Sequence, residues 1–428
     1  MRRLNFLLIL LLAASINLVG CGGGGGGGGA PTQDGNDGGG GEPSDVLPGG
    51  DVYNFTDLGN KVANLGLDSW ALFVNNNGQI AGETTGGDQL FTYVLEDKAD
   101  SMALFVEPLG GLTSEAYDFN DNGQVVGQSD TAAGDFQAFF WDVDDGNTVA
   151  IGTLGGPESS AEAVNSQGKV AGWSDIDANQ NFQQAFVWQN GVLTNIHPDP
   201  KGEWDTTSKA FDINAGGKVV GFGKIDGANR AFIWDSASGM RNIDDLMGFG
   251  STAQLINDLG YVAGQFITSS GEVHAFSWQN FNQGMVEIEP LGGGTAMAVV
   301  AMNASGQIVG DSRYLSIAEP PNSVLDTHAF FWDPQDGIVD LGTLGGRKSG
   351  ALAINDKGEV VGWSEASDDF VHAFYWKPGS AKMEDLGRLY SFGGDTKVND
   401  INDDGMIVGE AKTFSDDDIV TSWYGEQK

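Results

Sequence analysis

From residue 52 onward the chain alternates short apolar runs, rich in Val, Ile, Phe and Trp, with Gly, Asn and Asp at their ends. Runs of this length and composition read as β-strands bounded by turns, and the 3.6-residue period of an amphipathic helix is absent. The pattern repeats. Asn-x-x-Gly recurs at Asn75, Asn120, Asn165, Asn214, Asn257, Asn303, Asn355 and Asn402, at intervals of 45, 45, 49, 43, 46, 52 and 47 residues. A second glycine follows each Asn by seven residues, from Gly82 to Gly409. An Ala-Phe-x-Trp segment comes next, as at Phe186 and Trp188 or Phe374 and Trp376, with degenerate forms at Phe91 and Tyr93 and at Thr421 and Trp423. A Leu-Gly segment such as Asp340-Leu341-Gly342 ends the unit.

Four strands in a unit of about 47 residues match one blade of a β-propeller. The expected fold is therefore all-β: an eight-bladed propeller with four antiparallel strands per blade. A tight Asn-x-x-Gly turn joins the first two strands, and the longer link after the Leu-Gly segment is the crossover between blades. Four residues before the Asn stands Ala in six units (Ala71, Ala116, Ala161, Ala210, Ala253, Ala351), with Val299 and Val398 in the others. Small side chains suit a crowded axis, so the Asn strand is expected innermost. The repeat opens on an isolated Leu-Gly strand, Val52 to Leu58, and stops on a Phe-Trp strand near Trp423. Pairing of that N-terminal strand with the last blade would close the ring and remove both free edges.

The first fifty residues follow another pattern. Arg2 and Arg3 precede an apolar run from Leu4 to Leu12, the layout of an export signal and too short to span a bilayer. The segment ends Leu18-Val19-Gly20-Cys21, which resembles a bacterial lipobox, and Cys21 is the chain's one cysteine. Residues 1–20 are expected to be a signal peptide and residues 21–51 a lipidated Cys21 with a flexible tether, containing the octaglycine Gly22 to Gly29. Residues 52–428 are expected to form the propeller. The lipobox resemblance implies more than one acyl chain, enough for stable anchoring. Gly22 after the Cys implies sorting to the outer membrane, with the body facing the periplasm or the exterior.

Charge narrows the partners. The chain has 59 acidic and 21 basic side chains, a formal −38 that becomes −40 without Arg2 and Arg3. Nucleic acid is excluded as a partner, because its binders neutralise phosphates with basic side chains. The expected partners are the membrane, through the lipid anchor, and a protein or glycan of unknown identity; the body is expected to be monomeric.

The strings His-Ala-Phe-x-Trp (His274 to Trp278, His328 to Trp332, His372 to Trp376), Leu-Gly-Thr-Leu-Gly-Gly (Leu341 to Gly346) and Ile354 to Ser364 resemble the HAF family of bacterial extracellular repeats. The resemblance covers residues 52–428. It implies an exported repeat protein and brings no activity or catalytic residue with it.

Candidate chemistry is sparse. Asp118, Asn120 and Asn122, and again Asp400, Asn402 and Asp404, match the opening of a calcium loop, but Ser129 and Ala411 stand where its closing Glu belongs. These six are the calcium candidates, and no other cofactor is expected. His274, His328 and His372 share one repeat position that other units fill with Gln or Arg, which argues against a metal site. Residues that occur once are not demanded by the repeat. Trp204 and His197, in the irregular crossover 197–208, and Tyr314, in the irregular loop 311–326, are therefore the expected ligand contacts. No catalytic residue is singled out. The expected function is a non-catalytic binding or scaffolding propeller at the cell envelope, and the alternative is a polysaccharide-active or other hydrolytic enzyme in the central funnel. Cys21→Ser should abolish partition of the protein into the detergent-soluble membrane fraction; a variant that still fractionates as an integral membrane protein would refute the anchor.

Overall fold

The computed structural model describes residues 46–47, 52–59, 68–87, 89–96, 102–180, 182–198, 203–246, 248–316, 324–389, 394–412 and 419–428. Cys21, the signal segment and most of the tether lie outside the described residues. Thirty-three β-strands and one short 3-10 turn are described. In the third unit Ser159–Val164, Val170–Asp175, Gln183–Gln189 and Val192–Asn195 are hydrogen-bonded antiparallel in that order. We designate these positions strands a to d, with a carrying the Asn turn at its end. The fourth unit repeats the order from Ser208–Ile213 to Gly239–Asn242. In the eighth, a to c are Thr396–Ile401, Ile407–Lys412 and Val420–Gln427, and the next place in the sheet is taken by Tyr53–Asp57 from the other end of the chain.

Each unit owes its shape to one turn and one bulge. In the turn, Asn165 Oδ1 accepts the N–H groups of Gln167 and Lys169 at 3.0 Å each, and Gly168 takes φ 68°, a left-handed conformation that favours glycine. The same geometry closes the turn at Asn303 through Ser305 and Gln307. Three residues upstream, strand a bulges in every unit: Ala161 pairs with Gly172 and Ala163 with Ala171, leaving Glu162 unpaired. The bulge drives the preceding carbonyl toward strand b. A Cβ on Gly127, Gly172 or Gly362 would sit 1.8, 2.0 or 2.1 Å from the carbonyl oxygen of Glu115, Ser160 or Gly350. That contact is why the glycine seven residues after the Asn recurs in all eight units.

The core lies between units. Val126 and Ala138 of the second unit pack with Ala161, Val170, Phe186 and Trp188 of the third. Met406, Val408 and Tyr424 of the eighth pack with Ala71, Ile80 and Tyr93 of the first. The repeated Phe139, Phe186, Phe232, Phe276, Phe330 and Phe374 are fully buried, so the aromatic repeat is core. Polar staples accompany these clusters: the Ser159 hydroxyl accepts the Ala138 N–H, Ser208 that of Ala185 and Ser69 that of Ser422. Tyr53 and Phe55 are buried against the eighth unit, and each such side chain contributes about 1.5–3 kcal/mol. Deleting residues 52–58 is therefore expected to lower the melting temperature by roughly 5 °C or to drive association, since 1 kcal/mol moves the midpoint of a body this large by only about 1–2 °C. An unchanged melting temperature and a monomeric species would contradict this.

Candidate functional site

The eight Asn turns come together. Each Asn donates its amide to the main-chain oxygen of the next unit's Asn: Asn75 to Asn120, Asn120 to Asn165, and so on to Asn355 with Asn402, at 2.9–3.1 Å. Asn402 then donates to the oxygen of Asn75 at 3.0 Å. This ring surrounds a cavity of about 240 Å³ whose lining comes from all eight units, and it places strand a at the centre.

Four of the calcium candidates, Asp118, Asn120, Asp400 and Asn402, lie in this ring with their oxygens already engaged. Asp118 Oδ2 accepts the Val164 N–H at 2.7 Å, and Asp400 Oδ2 accepts the Val74 N–H at 3.0 Å. Their Oδ1 atoms accept from Phe119 and Ile401. Asn120 and Asn402 spend their oxygens on Asn122 and Gln124 and on Asp404 and Met406. The calcium reading is thus corrected: Asp118 and Asp400 are buried staples between units, and their oxygens turn to N–H groups, not inward to an ion.

The ligand contacts expected from irregular loops also need correction. Trp204 is 7% exposed and packs edge-on to Phe232, with ring centroids 6.4 Å apart. Its ring fills the space over Gly223, where a Cβ would come within 2.6 Å of it, so Trp204 plugs the core. His197 is half-buried and bonds through Nδ1 to Ser208 Oγ at 2.9 Å, and burial pushes its pKa down. It secures the crossover. Tyr314 stands on the strand Ile308–Ser316, opposite Asp326, within a long hairpin and not in a loop; its side chain lies outside the described residues. The repeated histidines bond to carboxylates of strand d, His328 to Asp340 at 2.8 Å and His372 to Asp385 at 2.9 Å.

A different layer stands out. Five residues before each Asn, at the start of strand a, one residue pairs across to strand b, next to the invariant glycine. Around the ring the pairs are Trp70–Glu83, Glu115–Gln128, Ser160–Trp173, Lys209–Phe222, Thr252–Gln265, Ala298–Asp311, Gly350–Trp363 and Lys397–Glu410. The frame around them is constant while these pairs change chemistry in every unit. They lie roughly 15 Å along the strand from the Asn ring, at about 3.3 Å per residue, and so form a belt toward the opposite end of strand a. The strand b members are all half-buried between buried neighbours. Three of them reach strand a of the next unit: Glu83 accepts the Ala116 N–H at 3.1 Å, Trp173 lies under Lys209, and the Gln265 amide bonds to the Met297 carbonyl.

The belt's electrostatics are unusual for so acidic a chain. Burial pushes the Glu83 carboxyl up to about 7, against the Ala116 hydrogen bond and with help from the charge of Glu115. Burial likewise takes Asp311 to about 6, against the pull of Arg313, and raises Glu162. Glu115 sits in a polar setting, its Oε2 accepting from Tyr117 at 2.8 Å and Gln128 at 2.9 Å. Glu162 Oε1 accepts from Ser160 and from the Trp173 indole at 2.7 and 2.8 Å. Carboxyls held in contrasting settings are the raw material of acid–base chemistry.

No family model and no curated protein matches this chain. Among solved structures, one of two prolyl endopeptidases is similar with a TM-score of 0.55 and 13% identity, covering 81% of this chain and 55% of that one. The β-propeller domain of the trilobed protease from Pyrococcus furiosus aligns at TM-score 0.41 and 10% identity over 84% and 95% of the two chains. TolB from Acinetobacter baumannii aligns at 0.38 and 11% over 74% and 78%. This chain spans about half the length of the prolyl endopeptidase, and the likeness is one of fold. The expectation of a non-catalytic binding or scaffolding propeller is corrected to this extent: the neighbour with a TM-score above 0.5 is a prolyl endopeptidase.

Proposed function

We propose that this chain is an eight-bladed β-propeller closed by its N-terminal strand, and that the axial belt is an acid–base site worked by Glu83 and Glu115. The fold reading is supported by the ring of Asn bonds that returns from Asn402 to Asn75, by the core between the eighth and first units, and by the pairing of Tyr53–Asp57 with Val420–Gln427. One observation carries the site: the cross-strand position that varies in every unit brings two carboxyls in unlike environments to neighbouring units of the belt.

Glu83, held by burial toward its neutral form, acts as the acid. Glu115, oriented by Tyr117 and Gln128, accepts a proton as the base. The substrate lies between them in the belt, where half-buried side chains keep contact with solvent. Export and a lipid anchor at Cys21 would put this site outside the cytoplasm at the outer membrane. There it meets a protein- or glycan-derived substrate as a monomer, and the high negative charge keeps nucleic acid away.

The full chain, incubated with pooled glycans and peptides and followed by mass spectrometry, should convert at least one pool. Glu83→Gln and Glu115→Gln should each lower that rate by about 100-fold, the range of general acid–base contributions, with little change in melting temperature. Conversion that persists in both variants, or no conversion of any pool, would overturn the assignment.

A further inference from the structure

The belt has two ammonium groups, and their situations differ. Lys397 Nζ lies 3.8 Å from Glu410, its own cross-strand partner. Lys209 faces Phe222 across the strands and instead extends over the preceding unit, its Nζ 3.5 Å from the centroid of the Trp173 ring. Among the described residues its ammonium forms no hydrogen bond or ion pair. The Trp173 indole N–H is spent on Glu162, so the ring is fixed and the ammonium is held against its face. The charges of Glu162, Asp175 and Glu158 act on it without a direct contact: Glu162 directs one oxygen to Ser160 and Trp173, and one Asp175 oxygen accepts from Gln183. Burial lowers the Lys209 pKa, opposed by the charges of Glu162, Asp175 and Glu158. A half-buried cation held in place and lacking an acceptor lies open to an anionic group from outside.

We infer that Lys209, seated on Trp173 beside Phe222, anchors the carboxylate of the ligand that the belt receives, so the substrate class is a carboxylate-bearing molecule. This rests on the belt being the functional site. Two of the carboxyls whose charges reach Lys209, Glu162 and Glu158, are held toward their neutral forms by burial, so an anion is tolerable there despite the chain's overall charge. Charges elsewhere on the surface are screened within a Debye length of about 8 Å at physiological ionic strength. A direct charge-assisted contact to Lys209 therefore outweighs them.

The test uses the full chain and two matched probe pairs, galacturonate with galactose and benzoate with benzamide, followed by saturation-transfer NMR and calorimetry. The carboxylate of at least one pair should bind about tenfold or more tightly than its neutral partner. That preference should vanish in Lys209→Met and largely persist in Lys209→Arg, while the neutral partner binds all three proteins alike. Equal binding within both pairs, or a carboxylate preference that survives in Lys209→Met, overturns the anchor. Neutral probes displaced by Glu83→Gln while no carboxylate preference is seen would leave the belt standing and reject Lys209 alone. Probes that bind wild type and every belt variant equally would reject both.

Discussion

The structure depends on a close approach of backbone to backbone. The bulge in strand a presses a carbonyl onto strand b, and only a glycine leaves room for it. A residue with a Cβ at Gly172 would meet the Ser160 oxygen at 2.0 Å, well inside van der Waals contact. From this follow the bend of the inner strand, the placing of the Asn turn at the centre and the amide donated to the next unit. Just before the bulge, the residue five before the Asn faces strand b beside this contact, and its partner reaches the next unit at Glu83, Trp173 and Gln265. The element that fixes the repeat also presents the positions free to vary.

Stability and function are thereby divided between neighbouring residues. Ser69, Ser114, Ser159, Ser208, Ser251 and Ser349 hold adjacent units together one position before the belt, and Ala follows two positions later. Between them stand Trp70, Glu115, Ser160, Lys209, Thr252 and Gly350, which no common packing rule unites. Half-buried titratable groups such as Glu83 and Asp311 are costly to retain in a core made of Val, Ala and Phe. Glu83 and Asp311 both stand in this layer, each with its pKa raised by burial.

Much of the frame was legible in the sequence. The eight Asn-x-x-Gly turns, the a-to-d strand order and the inner place of strand a follow from periodicity and from the small residues before each Asn. The pairing of Tyr53–Asp57 with Val420–Gln427 was readable because each end of the chain left one strand without its unit. The site was harder to read. Trp204 looked like a contact because it occurs once, yet its burial depends on Gly223, which replaces the Ser or Thr that most units carry there, as in Thr84, Ser129, Ser174, Ser312 and Ser364. A single aromatic paired with a missing side chain on the next strand is the mark of a plug. The belt left a signal in the aligned units as well, a position that changes chemistry amid constant neighbours, but its contacts to the next unit appear only in three dimensions. The calcium motif misled because Asp and Asn at such spacing also serve backbone N–H groups.

The central claim is that Glu83 and Glu115 form a coupled pair in the belt. It is tested most directly by carbon-13 NMR titration of the glutamate carboxyls in the full chain, with Glu83→Gln to assign the signal. The account predicts that Glu83 titrates near pH 7 and that Glu115→Gln shifts it downward, because one of the causes raising it is removed. A Glu83 carboxyl titrating with the ordinary glutamates near pH 4.3, or one indifferent to Glu115→Gln, would contradict it.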